Sequence, residues 1–386
     1  MKTATIGVIG GGQIGKMIAQ EAKRMSMDMI VLDPSPNCPA AGICGRQITA
    51  DFKDIAAIRK LAQESDVVTY EIELGNSGIL KQLESEGFKI FPSADNLRVI
   101  QDKYVQKSFL KANRVPVPEF AEVSSREDLQ EKSAAFGYPS LLKQRRDTYD
   151  GRGTVTLRKP GDLDRQLDAH ALNGNLADKN YMLERFVPFV KEVSVMIARS
   201  RAGKMVSFPV VENIHQNHIL ATTIAPARIS DAVAKRARQI ARKAVEAFNG
   251  VGIFGVEMFV DRKGEVLINE IAPRPHNSGH YTIEACAHSQ FEMHLRAVLG
   301  LPLVEPTLLS PAVLVNILGR STIDGAYRLK DLDKLLAIPG AKLHLYGKQG
   351  VRPGRKLGHV TILDATVAGA MKKADKARKL IEVVPA

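Results

Sequence analysis

The first hundred residues alternate short apolar runs with amphipathic stretches, and this alternation constrains the fold more than any other feature of the sequence. TIGVIG at 5–10 and DMIVLD at 28–33 predict strands, and residues 13–25 between them predict a helix. VVTYEIE at 67–73 and FKIFP at 88–92 predict further strands. Because strands that alternate with helices form parallel sheets, we predict an α/β domain in this region.

A glycine motif lies between the first predicted strand and helix. Gly10, Gly12 and Gly15 form G-x-G-x-x-G, and Asp33 ends the next strand. This pattern is typical of dinucleotide sites, where glycines let a pyrophosphate approach the backbone. It is also the ordinary way to make a tight turn from strand to helix, and no hydride-transfer site follows in the sequence. A nicotinamide-binding oxidoreductase is therefore a minor alternative.

Two acidic residues in a predicted hairpin are the strongest chemical signal. In FGVEMFVDRKGEVLINEI at 254–271, two β-prone runs flank DRKG. We expect Glu257 to face Ile268, so that Glu270 is its diagonal neighbour about 7–8 Å away. Two such carboxylates, with Asn269 beside them, suit a magnesium ion that bridges nucleotide phosphates. The alternative is an exposed hairpin with two solvated glutamates.

Two loops near these acids are suited to anions. APRPHNSGHYTIEA at 272–285 is rich in hydrogen-bond donors, and its Arg274 follows the second acid by four residues, where a cation would oppose phosphate charge. In KQRRDTYDGRG at 143–153, Lys143 ends a predicted strand and the glycines would let backbone amides approach a phosphate. A plain hairpin turn explains the second loop equally well.

The net charge of +12 raises the question of a nucleic-acid partner. Much of the excess lies in AKRARQIARK at 234–243, where apolar residues recur at helical spacing and the basic side chains point elsewhere. MKKADKARK at 371–379 has the same character. We interpret both as solvated helix faces, so small phosphorylated metabolites are the expected partners and nucleic acid is not.

The sequence also bears on the compartment. No apolar run reaches the ~20 residues of a membrane helix, and the glycine-rich amino terminus does not match a signal peptide. We therefore expect no membrane association and a cytosolic location. The three cysteines, Cys38, Cys44 and Cys286, show no paired spacing, which argues against a disulfide framework or a zinc site.

Several motifs together resemble the 5-(carboxyamino)imidazole ribonucleotide synthase family of ATP-grasp ligases. These motifs are YDGRG at 149–153, ERFV at 184–187, VENIH at 211–215, INEIAPRPHNSGHYTIEAC at 268–286, SQFEMHLRAVLGLPL at 289–303 and RPGRKLGHVTILD at 352–364. The resemblance implies an α/β ATP-grasp enzyme with an amino-terminal Rossmann-like parallel-sheet domain at 1–100, a central ATP-grasp domain at 101–298 and a small carboxy-terminal β-rich domain at 299–386. It also implies a homodimer.

The same resemblance implies an ATP site and a magnesium site. Lys103 and Lys143 would hold phosphates beneath a glycine loop. Glu184 and the backbone of Val187 would bind adenine, and Glu192 would bind ribose. The full set implied for ATP is Lys103, Lys143, Tyr149, Asp150, Gly151, Arg152, Gly153, Thr154, Glu184, Arg185, Phe186, Val187, Glu192, His215, Asn269 and Glu270. The implied magnesium ligands are Glu257 and Glu270.

The implied second substrate is 5-aminoimidazole ribonucleotide. Its phosphate would lie on Lys348, Arg352 and Arg355. The residues implied for the whole molecule are Glu73, Tyr149, Asp150, Arg152, Arg274, His276, Asn277, Ser278, Lys348, Arg352 and Arg355, of which Arg274, Asp150 and His276 are the candidate catalytic residues.

The implied reaction belongs to purine biosynthesis. Bicarbonate attacks the γ-phosphate of ATP to give carboxyphosphate, and the ribonucleotide amine then takes the carboxyl group. A related alternative is an ATP-grasp ligase for another ribonucleotide amine, such as a formate-using transformylase. The chain departs from the family pattern in YEIELGNSG at 70–78, and in Asp147 and Thr148, which replace the glycine pair usual before YDGRG.

Overall fold

The parallel sheet predicted for the amino-terminal region is present in the structure, a computed structural model that describes residues 4–148, 153–162, 181–319, 323 and 325–386. Its strands are β1 (Thr5–Ile9), β2 (Asp28–Leu32), β3 (Arg46–Ile48) and β4 (Val67–Tyr70). They run parallel in the order β3-β2-β1-β4. The helices of this region are α1 (Gln13–Arg24), α2 (Ile55–Gln63), α3 (Ser77–Ser85) and α4 (Ala94–Ile100).

The strand predicted for FKIFP is wrong in extent. It reduces to one parallel bridge between Ile90 and Val68. Pro92, two residues later, has no amide with which to continue a ladder. The strand predicted at 67–73 also ends early, at Tyr70, so that Glu71 and Glu73 lie in the loop beyond the sheet.

A second, antiparallel sheet follows. Its strands are β5 (Phe120–Val123), β6 (Ser140–Gln144), β7 (Thr154–Leu157) and β8 (Tyr181–Arg185), in the order β5-β8-β6-β7. Helix α5 (Lys103–Ala112) precedes this sheet, and α6 (Arg126–Phe136) packs against it. Asp102 caps α5 and forms ion pairs with Arg145 and Arg146, at 2.8 and 3.0 Å. The start of α5 is thereby fixed to the end of β6.

Within the described residues, nine antiparallel strands form the central sheet. In chain order the remaining strands are β9 (Phe189–Arg199), β10 (Met205–Ser207), β11 (Val211–Gln216), β12 (Ile219–Ala225), β13 (Gly252–Asp261), β14 (Val266–Ala272), β15 (Ala312–Leu318), β16 (Tyr327–Lys330), β17 (Ala341–Leu345), β18 (Lys356–Leu363) and β19 (Glu382–Pro385). The central order is β14-β13-β9-β11-β12-β15-β18-β17, with β10 beside β9, while β16 and β19 pair separately. Because β15 pairs with β12, the main carboxy-terminal strands continue the central sheet.

The later helices are α7 (Asp231–Phe248), α8 (Thr282–Ala285), α9 (Gln290–Leu299), α10 (Leu332–Leu336) and α11 (Val367–Leu380). The sequence at 282–298 predicts a single helix from about Thr282 to Val298. This prediction is wrong, because the chain is extended at Cys286 and Ser289 caps a new helix by accepting the Glu292 amide. In the part of the chain that the structure describes, no helix is both long and apolar enough to cross a bilayer.

Helix α7 has the amphipathic character expected from the sequence. Ala237, Ala241 and Phe248 lie on its buried face. On another face, Arg236 pairs with Glu265 of the hairpin turn at 2.5 Å. Part of the positive charge of this helix is therefore balanced within the molecule.

His294 on α9 joins the parallel sheet to the central sheet. Its Nδ1 accepts the Ile253 amide of β13 at 3.2 Å, and its Nε2 lies 2.9 Å from Thr69 Oγ1 of β4. Since a backbone amide can only donate, Nε2 carries the proton. Burial lowers the pKa of His294 to about 3, and burial also lowers the pKa of His280 and His359 well below the usual range. These imidazoles are neutral in the folded protein.

We predict that acid weakens the fold before most carboxylates protonate. Below about pH 6.5 the unfolded chain binds protons at these histidines that the folded chain does not, so stability falls as pH falls. Each histidine should contribute a loss of up to about 1.4 kcal/mol per pH unit. Urea denaturation across this range should give a shallower pH dependence for His294→Asn, whose side-chain oxygen still accepts the Ile253 amide. Equal slopes would contradict the assignment.

Candidate active site

Residues from all three regions of the chain line one cavity of about 450 Å³. It lies beyond the carboxyl ends of β1 and β4, beside β14 and the loop before β18. The sequence-predicted residues that line it are Glu73, Lys103, Glu270, Arg274, His276, Asn277, Lys348, Arg352 and Arg355. The structure thus gathers most of the residues expected for the ribonucleotide around a single space.

Glu257 and Glu270 lie directly opposite each other in the hairpin, instead of diagonally as predicted. Glu257 pairs directly with Glu270, and Ile268 pairs with Met258. The predicted diagonal arrangement is wrong for two reasons. Gly264, at φ +78°, adds one residue to the turn, and Asn269 is an extra residue in a β-bulge. Both carboxylates still lie on adjacent strands at the sheet edge.

The direct pairing of these acids fits a divalent cation. Burial, followed by the neighbouring charge of Glu270, raises the pKa of Glu257 to about 7. A cation between them would stabilise both as carboxylates. Among the described residues, no group of three or more His, Cys, Asp or Glu could hold a metal unaided. Two carboxylates with phosphate oxygens completing the shell suit magnesium.

His276 contacts Glu257, one of the two glutamates. Its Nδ1 accepts the Ser278 amide at 3.3 Å, so Nε2 carries the proton and faces Glu257 Oε1 at 3.1 Å. Burial and the nearby Arg274 keep the pKa of His276 well below its usual range. Ser278 Oγ is 2.7 Å from Ser194 Oγ, which fixes the loop to β9. His276 is therefore a neutral donor.

Glu184 lies between two lysines. Lys143 Nζ is 2.6 Å from Oε1, and Lys107 Nζ is 2.8 Å from Oε2. Burial would raise the pKa of Glu184, but the two ammonium groups outweigh it and hold the pKa at about 2. No role was expected for Lys107 from the sequence. The signal was available, since Lys107 stands on the same helical face as the apolar Leu110.

The remaining residues predicted for the nucleotide surround the junction of β8 and β9. Arg185 pairs with Glu119 at 2.8 Å, and Phe186 and Val187 line a smaller cavity of about 200 Å³. Glu192 and His215, on adjacent strands β9 and β11, form an ion pair. Burial would lower the pKa of His215, but its bond to Glu192 and nearby Glu257 raise it.

Two carboxylates of the protein itself accept hydrogen bonds from backbone amides of the glycine motif in the amino-terminal region. Asp33 accepts the Gly11 amide at 2.8 Å, and Glu71 accepts the Gly12 amide at 2.7 Å. A side chain at Gly10 or Gly12 would collide with Glu71. Two amides that a dinucleotide pyrophosphate would use are therefore already bonded. This disfavours the oxidoreductase alternative.

Cations cluster at the far end of the cavity. Arg274 forms an ion pair with Glu73, in which Nη2 donates to Oε2 at 3.2 Å and Nε lies 2.8 Å from Oε1. Arg355 donates to the carbonyls of Gln349 and Gly350, so it also shapes its own loop. Burial and the surrounding cations, first among them Arg355, lower the pKa of Lys348 to about 8. Such a cluster calls for an anion.

Tyr149, Asp150 and Arg152, predicted for both substrates, and Gly151, predicted for ATP, lie outside the described residues. The residues on either side of them are placed. Lys103 Nζ lies 3.1 Å from both the carbonyl oxygen and Oγ1 of Thr148. Asp147 adopts φ +57°, a left-handed conformation that glycine reaches without strain. Gly153 follows at φ +71°, and Thr154 begins β7.

Three family models match successive parts of the chain. They are the ribonucleotide synthetase preATP-grasp domain at residues 1–101, the ATP-grasp domain at 108–291 and the phosphoribosylaminoimidazole carboxylase C-terminal domain at 312–373. The second model spans the small sheet and most of the central sheet, and the third begins at β15 of the central sheet.

Curated relatives agree with these models. The N5-carboxyaminoimidazole ribonucleotide synthase of Synechococcus elongatus is 39% identical, over 99% of this chain and 94% of that protein. The phosphoribosylaminoimidazole carboxylase of Ogataea methanolica is 41% identical, over 97% of this chain and 69% of that protein. For the Schizosaccharomyces pombe carboxylase the shares are 93% and 64%. The chain thus spans about two thirds of the fungal and plant carboxylases it matches.

Solved structures show the same fold. N5-carboxyaminoimidazole ribonucleotide synthetase from Thermotoga maritima has 47% identity and a TM-score of 0.90, with 100% of both chains covered. N5-carboxyaminoimidazole synthase from Aspergillus clavatus, in complex with ADP and 5-aminoimidazole ribonucleotide, has 35% identity and a TM-score of 0.89, with 98% of both chains covered.

Glu270→Gln should abolish magnesium-dependent ATP turnover without unfolding the protein. The amide keeps the shape of the side chain but removes one of two charges that would bind the ion. We expect kcat/KM for ATP to fall at least about 100-fold. Glu265→Gln, in the exposed turn of the same hairpin, is the matched control and should stay near wild type. Full activity of Glu270→Gln would remove Glu270 from the ligand set.

Proposed function

The chain belongs to the N5-carboxyaminoimidazole ribonucleotide synthase family of ATP-grasp enzymes, and we propose that it carboxylates 5-aminoimidazole ribonucleotide with ATP and bicarbonate, in purine biosynthesis. The observation that carries the proposal is the single cavity in which Glu270, Arg274 and the basic loop at 348–356 meet. It has acidic and cationic walls suited to a metal-bound nucleotide and a phosphorylated substrate. A homodimer and a cytosolic location are part of the same proposal.

The ribonucleotide phosphate binds at the basic end. Lys348, Arg352 and Arg355 line that end, beside the first residues of α1. Helix α1 has no side-chain cap from its own N-cap residue, so the amides of its first turn after Gly12, together with its dipole, also favour an anion there. The lowered pKa of Lys348 supports this assignment, because a bound phosphate would compensate the crowded cations.

The reacting groups meet near Arg274 and His276. The pair with Glu73 orients the Arg274 guanidinium, which stays charged and attracts bicarbonate and the transferred carboxyl group. His276 is neutral and donates from Nε2, so it can hydrogen-bond an oxygen without adding charge. Asp150 keeps its predicted catalytic role as a proposal.

The nucleotide lies between the small sheet and the central sheet. In this proposal Lys143 and Lys103 contact its phosphates, and residues 184–187 contact its base. Glu257 and Glu270 would hold magnesium, which neutralises charge on the phosphates as the reaction proceeds. The two glutamates are needed as carboxylates, and the raised pKa of Glu257 makes that state depend on the ion.

The chemistry follows in two steps. A bicarbonate oxygen attacks the γ-phosphorus, the bond to ADP breaks and carboxyphosphate forms. The substrate amine then takes the carboxyl group, directly or as released carbon dioxide, while phosphate leaves and the nitrogen loses a proton. Exclusion of water matters because carboxyphosphate hydrolyses readily in open solvent.

The proposal predicts that phosphate release requires both bicarbonate and 5-aminoimidazole ribonucleotide. With ¹⁸O-labelled bicarbonate, label should appear in the released phosphate, since a bicarbonate oxygen becomes bonded to phosphorus. Formate with glycinamide ribonucleotide is the control for the transformylase alternative. Turnover with that pair alone would overturn the proposed substrate, and unlabelled phosphate would overturn the carboxyphosphate route.

Arg352→Ala should raise the KM for the ribonucleotide about 10- to 100-fold and leave the KM for ATP unchanged. A phosphate contact remote from the reacting amine contributes mainly uniform binding, so kcat should change little. Arg262→Ala, in the exposed hairpin turn, is the control. An effect confined to the KM for ATP would contradict the assignment.

A further inference from the structure

Strand β14, which carries Glu270, lies at the edge of the central sheet and is covered by helix α5. An edge strand presents backbone groups that need partners elsewhere. Two neighbouring side chains of α5 supply them. Gln106 donates to the Ile271 carbonyl at 3.1 Å and accepts the Ile271 amide at 3.0 Å, while Lys107 donates to the Asn269 carbonyl at 2.9 Å. Helix α5 thus fixes the backbone on both sides of Glu270.

The bond from Lys107 falls on the bulge. Asn269 is the extra residue that brings Glu270 opposite Glu257. Without the bulge, Glu270 would be displaced along β13 and its side chain would turn to the other face of the sheet. The contacts of Gln106 and Lys107 therefore act on the backbone that sets the separation of the two acids.

Lys107 also connects this strand to the small sheet. Its ammonium pairs with Glu184 of β8, and Glu184 in turn pairs with Lys143 of β6. Lys107 and Glu184 are 2% and 1% exposed, so the buried charge of Lys107 depends on Glu184, whereas Glu184 also has Lys143 as a partner. One side chain thereby links the strand of Glu270 to the strands assigned to the nucleotide.

We infer that Gln106 and Lys107 are positioning residues that place the Glu270 carboxylate where it can bind magnesium. Lys107 also aligns Glu270 with β6 and β8, the strands of the small sheet that are assigned to the nucleotide. This inference rests on the proposed function, since it requires a magnesium-nucleotide site. Neither side chain needs to touch the metal. Their effect is exerted through the Asn269 and Ile271 backbone and through Glu184, and the charge of Lys107 also acts on Glu270.

The test is the dependence of ADP affinity on divalent metal, measured by calorimetry with and without magnesium. In wild type, magnesium should tighten ADP binding. Gln106→Met keeps the length and packing of the side chain but loses both hydrogen bonds to Ile271. The gain from magnesium, meaning the factor by which magnesium increases the affinity for ADP, should therefore shrink about tenfold. Gln106→Glu, which keeps only the acceptor, should shrink it to an intermediate degree.

Lys107→Met should differ in a defined way. It also breaks the pair with Glu184, so affinity for metal-free ADP should fall along with the gain from magnesium. Lys111→Met, one turn later on the exposed face of α5, is the matched control and should resemble wild type. Melting temperatures measured in parallel separate a loss of stability from a loss of metal coupling.

The outcomes are distinguishable. If folded Gln106→Met or Gln106→Glu melts at a lower temperature but keeps the full gain from magnesium, these residues are only structural and the inference is overturned. If wild type itself shows no gain from magnesium, the proposed function fails first. A reduced gain in the Gln106 variants, with an unchanged KM for the ribonucleotide, supports the positioning role.

Discussion

Two glutamates face each other on the two outermost strands at one edge of the central sheet, and the neighbouring groups of the cavity respond to this pair of like charges. Glu257 and Glu270 are paired by the register of β13 and β14, where like charges are normally unfavourable. His276 supplies a neutral donor on one side, and the raised pKa of Glu257 shows that the pair is incompletely compensated. In the proposed function, a magnesium-bound nucleotide would supply the positive charge that the two glutamates need.

Charge balance distinguishes the parts of the cavity. Buried Glu184 is fully matched by two lysines, and Arg274 is matched by Glu73. The two facing glutamates and the cations Lys348, Arg352 and Arg355 carry opposite signs. In the proposed function these two places bind a cation and an anion of the substrates, while the ion pairs keep the site rigid between them.

The glycine motif illustrates how tertiary structure decides between two meanings of one pattern. G-x-G-x-x-G indicated a tight strand-to-helix turn, and such a turn is present. The groups that bind its amides could not be deduced, because Asp33 and Glu71 reach them from just beyond the ends of β2 and β4. Likewise, the carboxy-terminal strands were recognisable one by one, but their joining to β12 depends on a partner far away in sequence.

The sequence by itself determined the parallel amino-terminal sheet, the hairpin with its two acids, the amphipathic α7 and the family motifs, because periodicity and spacing are local properties. Only the tertiary structure decided the direct pairing of Glu257 with Glu270, since a bulge and an extra turn residue shift the register without changing the alternation of residue types. It also decided the roles of Gln106 and Lys107. Their partners, Ile271, Asn269 and Glu184, are brought to them only when α5 packs between the two sheets.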